Sequence, residues 1–145
     1  IENSKKRFNL PDLTDALTKY HNNPTKDELK SYWDTYKYYC HTRPELVEGE
    51  KLGKKYALNN ASYNFAVAKF YHDYKAQWAP SSIPALTIAS ELDCICPPDI
   101  FTMDERFTKE NILNVVITNA GHVPWLLHFD KIQSAFDKYC DKLSD

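Results

Sequence analysis

A carboxylate and an imidazole follow the two most strand-like segments of this sequence. Asp93 comes shortly after the apolar run 83–89, and His122 comes shortly after the run 113–118. Because the carboxyl ends of parallel strands line one crevice, we expect the two side chains to lie close together. A carboxylate orients a neighbouring imidazole and stabilises its cation, while the other ring nitrogen takes a proton from a nucleophile. The spacing therefore predicts a general acid–base pair.

A structural interpretation of the same two residues competes with this one. Asp93 would cap a turn, and His122 would be an ordinary polar residue after a strand, as both residue types are common there. On the bare pair this second interpretation is the favoured one. Glu91 and Asp99 are alternatives to Asp93 as the acid.

Residues 1–80 show only helical periodicity. Thr25 and Glu28 have the spacing of a capping box and predict a helix start, and the helix should stop before Arg43-Pro44. A second strong helix is predicted from Tyr63 to Trp78, and a weaker one from Leu13 to Tyr20. Residues 45–55 are expected to form a solvent-facing connection or short helices. One predicted helix face, more typical of a core than of a ligand pocket, consists of Leu29, Tyr32, Trp33, Tyr36, Tyr39 and Cys40.

Residues 81–145 have the pattern β-α-β-α. The runs 83–89 and 113–118 are predicted strands, and the intervening segment, which includes residues 98–107, is long enough for a crossover helix between parallel strands. A last helix is expected from about Asp130. Its predicted apolar face consists of Ile132, Phe136, Tyr139, Cys140 and Leu143. Two parallel strands are too few for a covered sheet, so we expect the C-terminal portion of a larger protein, with self-association through an exposed strand edge in an isolated copy.

The motifs around the two polar residues resemble a known fold family. The pattern I-P-x-L-x-I-x-x-x-x-D-x-x-x-P-P, then a helix, a strand and A-G-H-x-P-W, looks like the last two strands of the α/β-hydrolase fold. The passage from Asn59 to Asp93 is similar to the cap-to-core region of proline iminopeptidase-like hydrolases, the S33 peptidase group.

The resemblance implies a division of the chain and a set of roles. Residues 1–80 would be a helical cap, and residues 81–145 would be the C-terminal β-α-β-α part of the hydrolase core. Asp93 would be the acid of the catalytic triad, His122 its base, and Gly121 the small residue that lets the histidine loop turn tightly. Ser90 departs from the family, which usually has glycine there.

The nucleophile of such an enzyme is missing from the sequence. Neither a Gly-x-Ser-x-Gly elbow nor a glycine-rich oxyanion loop occurs, so we expect both upstream of Ile1, in the N-terminal part of the same protein, and we expect this segment alone to be inactive. The implied activity is a serine hydrolase, first of all an aminopeptidase acting on a small peptide or ester. An upstream aspartate nucleophile would instead make an epoxide hydrolase.

Glutamates in the helical half are candidates for binding the substrate. In proline iminopeptidases, acidic residues associated with the cap bind the free amino terminus, and Glu45, Glu48 and Glu50 are the weak candidates here. The alternative, and favoured, interpretation of this segment is a solvated charge run. A different class of function is a non-catalytic binding module, in which the helices offer aromatic faces to a partner and the histidine is structural.

Composition argues against several partners. With 18 basic and 20 acidic residues, the chain has no broad basic surface for nucleic acid, and the short cluster Lys5-Lys6-Arg7 is expected to be solvated. No apolar run is long enough to suggest a membrane span. The four cysteines have irregular spacing and are expected to be free thiols, with no metal site and no cofactor. Together with the absence of a targeting segment, this predicts a cytoplasmic protein.

Overall fold

The described part of the helical half contains four helices. The computed structural model describes residues 9–53, 55, 59–71, 75 and 78–144, so the basic cluster at residues 5–7 lies outside the described part. The helices are α1 (Thr14–Asn22), α2 (Lys26–Cys40), α3 (Arg43–Gly53) and α4 (Asn60–Phe65), and α4 continues as a π-helical turn over Ala66–Phe70.

Helix α2 begins and ends where the sequence predicts. The Thr25 side chain accepts a hydrogen bond from the Glu28 amide at 3.3 Å, which is one half of a capping box. The Thr25 amide donates instead to the Asn23 carbonyl at 2.7 Å, so the reciprocal bond from a glutamate side chain is not needed there. The helix ends at Cys40, ahead of Arg43-Pro44.

The predicted apolar face of α2 forms the centre of the core. Leu29, Tyr32 and Tyr39 are buried, and they pack with residues of α1 and with Cys94 from the second half of the chain. Tyr36 lies at the edge of this cluster, where its ring stacks on Tyr32 with centroids 5.4 Å apart. The α2 aromatics are thus packed inside the protein, as the core interpretation predicts.

Two helical segments differ from the prediction. Residues 43–53 form a full helix, with Pro44 in the first turn, where its missing N–H costs no intrahelical bond. The predicted helix 63–78 instead begins at Asn60, capped by the Asn59 side chain, and Trp78 lies outside any helix. The structure describes this segment as far as residue 71, and residues 72–74 and 76–77 lie outside the described part.

The second half is the expected α/β arrangement. Strands β1 (Ala85–Ser90) and β2 (Ile112–Ile117) are parallel, with Ala85 paired to Ile112 and Ser90 to Ile117. The crossover contains only short helical turns, α5 (Asp99–Thr102) and a 3₁₀ turn (Glu105–Phe107). A 3₁₀ turn at Pro124–Leu126 leads from β2 into α6 (Phe129–Ser144).

The predicted apolar face of α6 is largely open. Ala135 is buried, but Phe136 is 50% exposed and Val116 of β2 is 48% exposed. Among the described residues the sheet has two strands, and it lacks the neighbouring strands that normally extend a parallel sheet beneath its helices. Apolar surface therefore remains on both the helix and the sheet.

Leu29 provides a test of the core. It is 1% exposed, and we expect Leu29→Ala to lower the free energy of unfolding by about 2–5 kcal/mol because it leaves a cavity. The exposed neighbour Ser31 is the control, and Ser31→Ala should change it by less than about 0.5 kcal/mol. Urea denaturation followed by circular dichroism measures both; equal, small effects would show that α2 does not pack in the core.

Candidate active site

The turns that follow β1 and β2 are bonded to one another. The Glu91 amide donates to the Ile117 carbonyl at 3.0 Å, and the Leu92 amide donates to the Ala120 carbonyl at 2.9 Å. These bonds extend the parallel pairing past the strand ends. The two chains are therefore still side by side where Asp93 and His122 occur.

The Asp93 carboxylate is divided between the backbone and the histidine. Its Oδ1 accepts hydrogen bonds from the amides of Ile95 at 2.8 Å and Cys96 at 2.9 Å. Its Oδ2 lies 2.9 Å from Nδ1 of His122. Asp93 is only 8% exposed, so little water competes for either oxygen. The amides hold the carboxylate in one orientation, with the second oxygen directed at the imidazole.

The pair shifts the ionisation of both groups. The hydrogen bond to Asp93 raises the pKa of His122 above its ordinary value, in spite of the opposing effect of burial. Burial by itself would raise the pKa of Asp93, but the hydrogen bonds from His122, Cys96 and Ile95 outweigh it and the pKa is lowered. The pair with Asp93 stabilises the fold fully below pH 6.5, where His122 is charged, and this contribution is lost as the pH rises through the raised pKa of His122 in the folded protein. The contribution of ionised Asp93 to stability is present above pH 3.8 and is lost as the pH falls through the lowered pKa of Asp93.

The other face of the imidazole is open. The His122 side chain is 40% exposed, and within the described residues Nε2 has no hydrogen-bond partner. When Nδ1–H of the neutral ring donates a hydrogen bond to Asp93, the lone pair of Nε2 faces solvent. The arrangement can therefore remove a proton from a group that lies within hydrogen-bonding distance of Nε2 and return it later.

The loop 119–122 that carries the histidine is held from two sides. On one side, the Glu91 carboxylate accepts from the Asn119 amide at 2.9 Å. On the other side, the Cys40 carbonyl at the end of α2 accepts from the His122 amide at 2.7 Å. Asn119 has the left-handed φ of 58° in this loop, a conformation that asparagine tolerates. The helical half thus contacts the site residue directly.

Gly121 is required for closeness rather than for a special turn. Its φ is not positive, so the small size of the residue matters here and a left-handed backbone conformation is not involved. A Cβ on Gly121 would lie 2.5 Å from Oε2 of Glu45 and 2.7 Å from the Cys40 carbonyl oxygen. Only a residue without a side chain lets the loop approach the α2–α3 corner this closely.

The three glutamates that are candidates for binding the substrate have different surroundings. Glu45 is 0% exposed, and its carboxylate accepts from the amides of Gly121 and Thr42. Glu48 pairs with Lys51 at 2.6 Å, and Glu50 pairs with Lys37 at 2.7 Å, both at the surface. Glu45 is therefore placed against the histidine loop with its oxygens engaged, and the other two belong to charge pairs on the protein surface. Their proposed binding of a substrate amine stays a prediction.

The alternative acids lie elsewhere. Glu91 binds the Asn119 amide, and Asp99 is an exposed residue at the start of α5. Asp93 is the carboxylate whose oxygen lies within hydrogen-bonding distance of His122.

A second histidine lies near this site. Burial is the main reason that the pKa of His41 is lowered, with a further lowering by His122 and an opposing effect of Glu45. Its Nδ1 is buried and has no hydrogen-bond partner among the described residues. Burial thus disfavours the charged form of His41, and its ring packs on Gly49, where a Cβ would lie 2.8 Å from Nε2.

The described residues contain neither a cluster suited to a metal ion nor a helix suited to a membrane. No group of three or more histidine, cysteine, aspartate or glutamate residues there is arranged to hold a metal ion. In the same part of the chain, none of the helices has the length and apolarity needed to span a membrane. The four cysteines, all within the described residues, are not joined in disulfide bonds, and burial raises the pKa of Cys40 to about 12.

Comparison of the chain with models of protein families, with curated proteins and with solved structures finds no match.

The anchored carboxylate leads to a prediction for Asp93→Asn. The two backbone amides require an acceptor at the position of Oδ1, so the new NH₂ group replaces Oδ2 and donates to Nδ1 of His122. We expect the neutral ring to change from the Nδ1–H to the Nε2–H tautomer and its pKa to fall.

Long-range ¹H–¹⁵N NMR of the imidazole measures both properties. Asp99→Asn is the matched control and should leave His122 unchanged, since Asp99 is exposed on α5. An unaltered tautomer in Asp93→Asn would contradict this hydrogen-bonding arrangement.

Proposed function

We propose that this chain is the cap and C-terminal core of a serine hydrolase of the α/β-hydrolase fold. The observation that carries the proposal is the contact of 2.9 Å between Asp93 Oδ2 and His122 Nδ1, with the carboxylate anchored and Nε2 open. The position of the pair after two adjacent parallel strands supports it, as does the resemblance of the surrounding motifs to this family.

The proposed reaction is acyl transfer through a covalent serine intermediate. His122 Nε2 takes the proton of the serine hydroxyl while the serine oxygen attacks the substrate carbonyl carbon. The imidazolium then gives that proton to the leaving amine or alkoxide. Water, deprotonated by the same nitrogen, attacks the acyl-enzyme, and the imidazolium then returns the proton to the serine oxygen as the carboxylic acid leaves. Asp93 remains ionised and stabilises the imidazolium in both halves. The serine and the oxyanion hole are proposed to come from the N-terminal part of the protein.

The first substrate class that we propose is a peptide with a free amino terminus, cleaved by a proline iminopeptidase-like aminopeptidase. The motif resemblance is the support for this subtype, and a small ester is the next choice. The additional strands of the complete protein would lie beside the β1–β2 pair and cover the open apolar groups on β2 and α6. We place the enzyme in the cytoplasm, where free thiols are maintained.

A non-catalytic binding module is the second candidate. The aromatic face of α2 is not available for it, because these rings form the core. A different set of exposed aromatic side chains favours it, on α4 and the segment that follows: Phe65, Phe70, Tyr71 and Trp78. In this case Asp93→Asn would leave the function unchanged.

Turnover by the complete protein tests the proposal. The test substrates are proline β-naphthylamide, p-nitrophenyl acetate and styrene oxide, which distinguish aminopeptidase, esterase and epoxide hydrolase. We expect Asp93→Asn to lower kcat about 10⁴-fold, because the wrong tautomer faces the nucleophile. Since the base must be neutral, the wild-type rate should rise with pH through a midpoint above 6.5, in line with the raised pKa of His122.

His122→Ala should abolish turnover, and His21→Ala, on the exposed face of α1, is the control. Wild-type turnover that survives in His122→Ala would contradict the proposal, and absence of all three activities from the complete wild-type protein would favour the binding module.

A further inference from the structure

The buried carboxylate of Glu45 is unusual in the helical half. It is a charged side chain with 0% exposure, and isolated buried carboxylates are strongly disfavoured unless hydrogen bonds satisfy them. Among the described residues its partners are backbone amides rather than a basic side chain. Oε2 accepts from Thr42 at 2.7 Å, and both oxygens lie 3.1 Å from the Gly121 amide nitrogen.

Part of this arrangement belongs to the start of α3. Thr42-Arg43-Pro44-Glu45 has the spacing of a capping box, and the bond from the Thr42 amide to the glutamate side chain is the reach-back half of such a box. A negative charge in the first turn is also stabilised by the helix dipole. These effects explain why a carboxylate is tolerated there, but a surface cap would serve α3 equally well without burial.

The bond to Gly121 connects this cap to the histidine loop. Gly121 precedes His122, and the next amide, that of His122 itself, is bound by the Cys40 carbonyl two residues before Thr42. The α2–α3 corner therefore holds two consecutive amides of the loop. A carboxylate acceptor makes the stronger bond of a charged group.

We propose that Glu45 is a positioning residue that fixes the backbone at Gly121 and thereby directs the His122 ring at Asp93. The structural part of this inference concerns the loop alone; its consequence for turnover rests on the proposed hydrolase function. Glu45 acts through the main chain and does not touch the reacting atoms. In this role it belongs to the site, although it comes from the helical half of the chain.

Glu45→Gln separates positioning from capping. Glutamine also fits the last position of a capping box, so α3 keeps its start. The amide, however, offers a single neutral oxygen to the Gly121 and Thr42 amides. We expect the neutral His122 ring to lose its uniform Nδ1–H tautomer in ¹H–¹⁵N NMR spectra of the chain. The control is Glu28→Gln, the same substitution at the corresponding position of α2, where the Thr25 amide donates to the Asn23 carbonyl; it should leave the His122 signals unchanged.

A second variant, Gly121→Ala, disturbs the contact between Gly121 and Glu45 without changing a charge. The Cβ in Gly121→Ala would lie 2.5 Å from Oε2 of Glu45 and displace the loop, whereas Gly53→Ala has no atom within 4 Å of its new Cβ. We expect the first to alter the His122 tautomer and the second to preserve it. Gly121→Ala carries the test should Glu45→Gln fail to fold.

Turnover in the complete protein distinguishes the positioning role from the proposed function. With positioning and hydrolysis both correct, Glu45→Gln lowers kcat by on the order of 10- to 100-fold at unchanged KM, because a small displacement of a catalytic group is costly. An altered tautomer in Glu45→Gln, together with a wild-type protein that has no hydrolase activity, would support positioning and overturn the proposed function. A wild-type tautomer in both Glu45→Gln and Gly121→Ala would overturn the positioning role, whatever the activity.

Discussion

The site depends on the hydrogen bonds of the Asp93 carboxylate, in which one oxygen binds the backbone and the other binds His122. Two backbone amides fix one oxygen, so the other oxygen is the one available to His122. A carboxylate free to rotate would pair with the imidazole in several orientations, and the tautomer of the ring would be poorly defined. Because the amides belong to the turn that directly follows Asp93, the chain sets this orientation locally and needs no other element to impose it.

The position of the histidine has a different origin, since it depends on contacts far apart in sequence. The parallel register of β1 and β2 brings the two turns together, and the helical half then fixes the loop through the Cys40 carbonyl and the Glu45 carboxylate. The helices are thus more than a cover over the strands. Gly121 is one of the points at which the two halves meet, and steric exclusion of a side chain explains the residue type.

The sequence allowed the local features to be predicted. Apolar runs gave both strands to within about two residues, and the helical spacing of Leu29, Tyr32 and Tyr39 identified the core face of α2. The contact of Asp93 with His122 follows from parallel strands, because consecutive loops then emerge at one edge.

The features that escaped prediction depend on distant partners or on the size of the surface available. The segment from Thr42 to Glu45 has the spacing of a capping box, which predicts a helix start. It does not predict the contact of Glu45 with Gly121, which is 76 residues away in the sequence. The apolar face of α6 stays open because the partner surface is a narrow pair of strands, which no pattern within the helix reveals. Trp78 continues the helical period of residues 63–74 and yet lies outside a helix, so periodicity alone overestimates the length of that element.

The central claim is that His122 activates a serine. Labelling of the complete protein with a fluorophosphonate, which bonds covalently to an activated serine, tests this claim without knowledge of the substrate. We expect that one serine N-terminal to residue 1 is labelled and that His122→Ala abolishes the labelling. Absence of labelling in the wild type, or labelling at an equal rate in His122→Ala, would contradict the claim.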